Sequence, residues 1–195
     1  MKSLPARCLL VALLVSPAAC VLPAKAAVDI DDQVERYIIE GSTPEDLRRE
    51  MNIKRPQRAG SRRFDGYTRW HVSWRYRYNN AGGGCSIASV TTSVKVTMTL
   101  PRWSNESSAS SATRQHWARY LAALERHEQG HRRHGIDAAH EVDRTIAAMP
   151  PARNCDALGA NANALGMSIL RNYNQRDLDY DRDTKHGATQ GARFP

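Results

Sequence analysis

The sequence predicts an α+β domain, a small antiparallel sheet packed against two or three helices, with a long central helix at its heart. Three observations predict it. Trp70, Val72, Trp74, Tyr76 and Tyr78 alternate with Arg69, His71, Ser73, Arg75 and Arg77, the period of two of a half-buried strand. Val90, Val94, Val96, Met98 and Leu100 form a second such face after the loop Asn79-Asn80-Ala81-Gly82-Gly83-Gly84, whose glycines suit a hairpin connection. Trp117, Tyr120, Leu121 and Leu124 then recur at helical spacing.

The elements follow in order. Arg36 to Gly41 reads as a short strand ending at a turn glycine. Thr43 caps a helix that begins with Pro44, carries Glu45 and Asp46 in its first turn, and reaches about Asn52, with Leu47 and Met51 as its apolar contact. Residues 53–66 are basic and glycine-bearing, a loop. Cys85 opens the return strand of the hairpin and Pro101 closes it. The central helix runs through His127 and His131. Gly135 interrupts it, Ile136, Ala139, Val142, Ile146 and Met149 continue its period, and Pro150-Pro151 stops it. A further helix spans about 154–176 with Leu158, Leu165, Ile169 and Leu170 inward, and the tail from Tyr180 to Gly187 is polar and irregular.

Residues 1–27 stand apart. A basic start (Lys2, Arg7), the apolar run Cys8 to Val15 and the small residues Ala24-Lys25-Ala26-Ala27 read as a secretory signal peptide, leaving 28–195 as one domain. Cys20 offers a lipoprotein alternative, against which stands Pro17 three residues before it. The apolar run is too short to span a membrane comfortably. Its removal takes Lys2, Arg7 and Lys25 and no acid, lowering the formal charge from +8 to +5. That charge is mixed in sign and scattered, unlike a nucleic-acid module. Cys85 and Cys155 then remain as an even pair, expected to form a disulfide in a secreted or periplasmic compartment.

The chemistry lies in His127-Glu128-Gln129-Gly130-His131. Residues four apart share a helix face, so His127 and His131 can offer two imidazole nitrogens to one Zn2+, with Glu128 beside them as a general base. A straight helix carries His134 about 10 Å along the axis from His127, too far to complete that set. Asp137 and Glu141 are further possibilities on the same helix, and Asp181 and Asp183 are fallbacks from the tail. His186, followed by Gly187 in a flexible segment, is favoured as the third ligand. Tyr180 is placed near it as a hydrogen-bond donor to an oxyanion. His71, His116 and His140 read as surface or packing residues. These parts predict a zinc-dependent peptidase acting on a peptide or protein substrate. The alternatives are a non-catalytic zinc-binding protein of the cell envelope and an amidase of cell-wall peptides. Oligomeric state is not legible.

Several stretches carry a family likeness: Phe64-Asp65-Gly66-Tyr67-Thr68-Arg69-Trp70, Trp74-Arg75-Tyr76, Leu100-Pro101-Arg102-Trp103, Leu124 to His131, and Tyr180-Asp181 through Thr184-Lys185-His186-Gly187 to Gly191. In these the chain resembles an uncharacterised bacterial family described as predicted secreted zinc-dependent proteases. The resemblance implies zinc and proteolysis, and it implies that the tail belongs to the site.

Overall fold

The computed structural model describes residues 28–56, 64–80 and 83–195. The signal-peptide reading of 1–27 lies outside them, as do parts of the loops at 57–63 and 81–82. Three strands form one sheet in the order β1-β3-β2: β1 (Asp29–Ile39), β2 (Tyr67–Asn79) and β3 (Ser86–Trp103). The hairpin is as expected, with β2 antiparallel to β3. The first strand is not. β1 is longer than the predicted segment and runs parallel to β3, so the sheet is mixed. β3 also passes through Pro101. Its pairing with β2 ends at Thr99, so the missing N–H of Pro101 falls where β3 has only β1 beside it.

Helix α1 (Pro44–Lys54) follows β1, capped by the Thr43 hydroxyl, which accepts from the Asp46 amide at 3.1 Å. Helix α2 (Ser111–Ala147) is a single run of 37 residues, about 55 Å long, capped by Ser110. Gly135 does not interrupt it. A Cβ at that position would lie 2.5–2.6 Å from Trp70, so the glycine lets the helix settle onto the β2 indole. Helix α3 (Cys155–Thr184) starts at the Asn154 cap and continues eight residues beyond its predicted end, through the polar run that sequence alone assigns to an irregular tail.

The helices cover one face of the sheet in two apolar clusters. Val72, Val90, Val94 and Val96 pack against Ala138, Val142 and Ile146 of α2 and Ala162 and Ile169 of α3. Ile39, Leu47, Met51, Met98 and Leu100 pack against Trp117, Tyr120 and Leu124. His127, Glu128 and His131 fall between the clusters, on the same buried stripe of α2. The predicted disulfide is present: Cys85 and Cys155, 70 residues apart, tie the hairpin to the first turn of α3. Among the described residues no helix is long and apolar enough to cross a membrane. Both features are compatible with an extracytoplasmic protein.

Candidate metal centre

His127 and His131 occupy core positions of α2 and are only 2% and 8% exposed. Polar groups so placed need partners, and α3 supplies them. Its inward stripe of Leu158, Ala162, Ile169 and Tyr173 continues in phase to Asp177 and Asp181. Asp177 Oδ1 lies 2.9 Å from His131 Nδ1, and Asp181 Oδ1 lies 3.2 Å from His127 Nε2 and 3.1 Å from His131 Nε2. The two Nε2 atoms are 3.3 Å apart.

These three contacts define a near-equilateral triangle. A tetrahedral zinc with bonds of about 2.0–2.1 Å needs ligand atoms about 3.3 Å apart. The hydrogen bonding behind the triangle fits the same group. His127 Nδ1 faces Gln190 Oε1 at 3.0 Å, and His131 Nδ1 faces the Asp177 carboxylate, both of them acceptors. Each neutral imidazole therefore carries its hydrogen on Nδ1 and turns a lone pair inward. Two lone pairs and a carboxylate oxygen then converge with no hydrogen between them. Only a bound cation or an added proton relieves that repulsion. The proton's pull is visible in His131: burial opposes its charge, but the hydrogen bonds to Asp177 and Asp181 outweigh this and its pKa is pushed up to about 10. Burial works against the Asp181 carboxylate too, yet the hydrogen bonds from His127 and His131 hold it well below the usual carboxylate range.

Glu128 points to the other side of the motif. Its Oε2 accepts from Thr68 Oγ1 at 2.7 Å. Burial lifts its carboxyl above the ordinary value, while the Thr68 hydrogen bond pulls the other way. Gly66 is needed beside it, because a Cβ there would come 2.8 Å from Glu128 Oε1. A cleft of ≈ 410 Å³ opens onto Glu128, His127, His131 and Asp181, walled by Phe64, Tyr67 and Thr68 on one side and Leu178 and His186 on the other.

The tail does fold back over the motif, though not as predicted. His186 lies in the left-handed region (φ 51°) just past α3. It is half exposed, leans on Phe64, and turns its Nδ1 to Asp181 Oδ1 at 3.2 Å. It lines the cleft, but the atoms that close together among the described residues form two sets that share His131: His127, His131 and Asp181, and behind it His131, His134 and Asp177; the first opens onto the cleft beside Glu128. The arrangement has a simple cause: α3 reaches far enough to bring a carboxylate between the imidazoles, and His186 reaches the carboxylate. Tyr180 is likewise shifted from its predicted place. Its ring stacks on His127 (4.9 Å, 10°) over Gly130, where a Cβ would collide with it at 2.5 Å, and its hydroxyl accepts from Gln190 Nε2 at 2.9 Å. It does not line the cleft. Gln190 thus holds His127 and Tyr180 together, from a short 3₁₀ turn between Gly187 and Gly191. Gly187 combines a φ of +83° with an approach to His127 that a Cβ would tighten to 3.0 Å.

His134 Nδ1 donates to Asp177 Oδ1 at 2.6 Å and does not reach the set of His127, His131 and Asp181. Asp137 is exposed and Glu141 bonds Tyr173. His71 and His140 are exposed and His116 packs on Phe194, as expected. Asp177, Gln190 and Thr68 were not singled out from sequence. For Asp177 and Asp181 the signal was there: two acids in phase with the apolar stripe of a helix.

The family profile described as "Bacterial protein of unknown function (DUF922)" matches residues 34–187. The chain belongs to this family. The matched span takes in His127, Glu128, His131, Asp177 and Asp181, and stops just short of Gln190. No curated protein and no solved structure matches the chain. Membership assigns no activity, so the reading of the site rests on its geometry.

Proposed function

We propose that this is a secreted zinc-dependent peptidase, with His127, His131 and Asp181 holding the metal and Glu128 acting as general base. The observation that carries the reading is the triangle of Nε2, Nε2 and Oδ1 at 3.1–3.3 Å, beside a buried glutamate that faces an open cleft. Zinc held there supplies Lewis acidity for a substrate carbonyl. Glu128, lifted in basicity by burial and aimed by Thr68, takes the proton of the attacking water and returns it to the leaving amine. Asp177 and Gln190 keep the two imidazoles in the tautomer that presents Nε2. Tyr180 stacks His127 into position, a supporting role in place of the oxyanion donor expected from sequence. His186 sits on the cleft wall where a substrate's polar backbone would pass. A non-catalytic metal site has no use for a carboxylate oriented by Thr68 into a cleft, and that favours the enzyme over an envelope binding protein. An amidase of cell-wall peptides would use the same parts.

The test is metal content by elemental analysis together with turnover on peptide libraries and cell-wall peptides. Glu128→Gln should keep stoichiometric zinc and lose about 10²–10⁴-fold in rate. Stoichiometric zinc with equal turnover in both proteins would remove the enzyme reading.

A further inference from the structure

Only one side of β1 is paired within the described chain. β3 is the middle strand, so β1 is an edge of eleven residues. Its two faces are told apart by their ion pairs. Asp31 meets Lys95, and Glu35 meets Arg69, on the face away from the helices, while Asp32 meets Arg132 of α2 on the helix side. The helix-side row is Ile30, Asp32, Val34 and Arg36; past it the alternation shifts, so that Tyr37 and Ile39 pack toward the helices and Ile38 faces solvent. Ile30, Val34 and Ile38 are 41%, 51% and 38% exposed, three of the large apolar side chains that the fold leaves outside its core. Single exposed apolar residues mean little, but a spaced row along an unpaired strand edge is a template for another strand.

We propose that the occupant is a second copy of this chain, paired antiparallel through β1 about a two-fold axis at Val34. That register sets Val34 opposite Val34. It sets Asp32 opposite Arg36, twice, and on the other face Gln33 opposite Glu35. No like charges meet. Among the described residues Arg36 makes no ion pair within its own chain, whereas Asp32 is already held in place by Arg132.

The neighbouring registers fail. An axis at Gln33 puts Asp31 against Glu35. An axis at Glu35 or at Asp32 puts that acid against its own copy, and an axis at Arg36 does the same for a guanidinium. The charges that guard this edge against indiscriminate pairing therefore select one self-pairing. The product is a continuous sheet of six strands, three from each copy. Its two-fold symmetry closes the assembly, because each copy spends its β1 edge on the other.

Light scattering on the full chain across a concentration series tests association, and cysteine cross-linking tests the register. The wild type should show twice its monomer mass. Val34→Cys should form an interchain disulfide at least about tenfold faster than Ile30→Cys or Ile38→Cys alone, since only residue 34 faces itself. Arg36→Asp, a change at an exposed position, should weaken association at least about tenfold with an unchanged circular dichroism spectrum. A wild type that stays monomeric throughout overturns the proposal. So does a dimer whose cross-linking does not single out residue 34, or one indifferent to Arg36→Asp.

Discussion

Asp181 and His186 stand 3.2 Å apart at the mouth of the same cleft, and they make opposite predictions when removed. If Asp181 closes the ligand triangle, Asp181→Ala should weaken zinc binding by more than about 100-fold, beyond what the loss of an outer hydrogen-bond partner costs. His186→Ala should then change it by less than about tenfold. Asp177→Asn, which leaves the ligand atom Nε2 of His131 in place but weakens the acceptor behind Nδ1, should fall between, at about 10–100-fold. Competition against a chromophoric chelator at fixed pH measures all three. A His186→Ala loss as large as that of Asp181→Ala would reinstate the histidine as the ligand. His127, Glu128 and His131 were legible because four-residue spacing on a helix fixes their geometry without reference to the rest of the fold. The third member was not. Its identity depends on where a distant helix ends, and a histidine after an apparent break looks a better ligand than an aspartate inside a run of acids.

That uncertainty belongs to the element scale. Polar composition after Arg176 suggests that α3 has finished, since Asp177, Asp179 and the charges from Asp181 to Lys185 favour solvent. The helix persists because its inward positions have partners of their own: Tyr173 on Glu141, Asp177 on His131, His134 and Trp70, and Asp181 on the two imidazoles. Burial of satisfied polar groups replaces burial of apolar ones. The same stripe reading that located α2 would have extended α3 had acids been allowed to count as inward. β1 was shortened for a related reason, since Asp29 to Glu35 is too charged to resemble a strand that is covered on its faces, and it is not covered. The turn after α3 is an element with its own test. A chain stopped after Thr184 should keep its helical spectrum but bind zinc about 10–100-fold more weakly, having lost the Gln190 contact to His127. Gln190→Glu in the full chain, which keeps an acceptor oxygen, should bind like the wild type. Equal affinity in the truncated chain would show that the tail is dispensable.

For the molecule as a whole, a strong pH sensitivity lies away from the candidate metal centre. Tyr37 and Tyr120 surround Asp65, donating to its carbonyl at 2.8 Å and to its carboxylate at 2.7 Å, and Arg48 and Arg55 complete the knot between α1, α2 and the start of β2. Burial first, and the Asp65 charge second, raise both phenols far above their ordinary value. A group whose folded pKa is raised contributes stability that is complete below its unfolded pKa, here about 10, and is lost as pH rises from there toward the folded value. Thermal melts should therefore fall steeply above about pH 10, beyond the loss that the raised His131 causes between 6.5 and about 10, with tyrosinate absorbance appearing together with unfolding. Two buried phenols that ionise at ordinary alkaline pH in a still-folded protein would contradict this.

One consequence of the site's construction concerns the order in which the chain is made. The imidazoles arrive on α2, but Asp181 comes 50 residues after His131, and Gln190 63 residues after His127. Chains grow and fold from the N-terminus. A nascent chain that has passed the pentapeptide has half a centre, with two nitrogens and no carboxylate to close it. On the proposed reading, an ion would be gripped tightly only once the chain beyond Asp181 has emerged, so the position of one acid would time the birth of any activity to the closing stage of the chain's appearance.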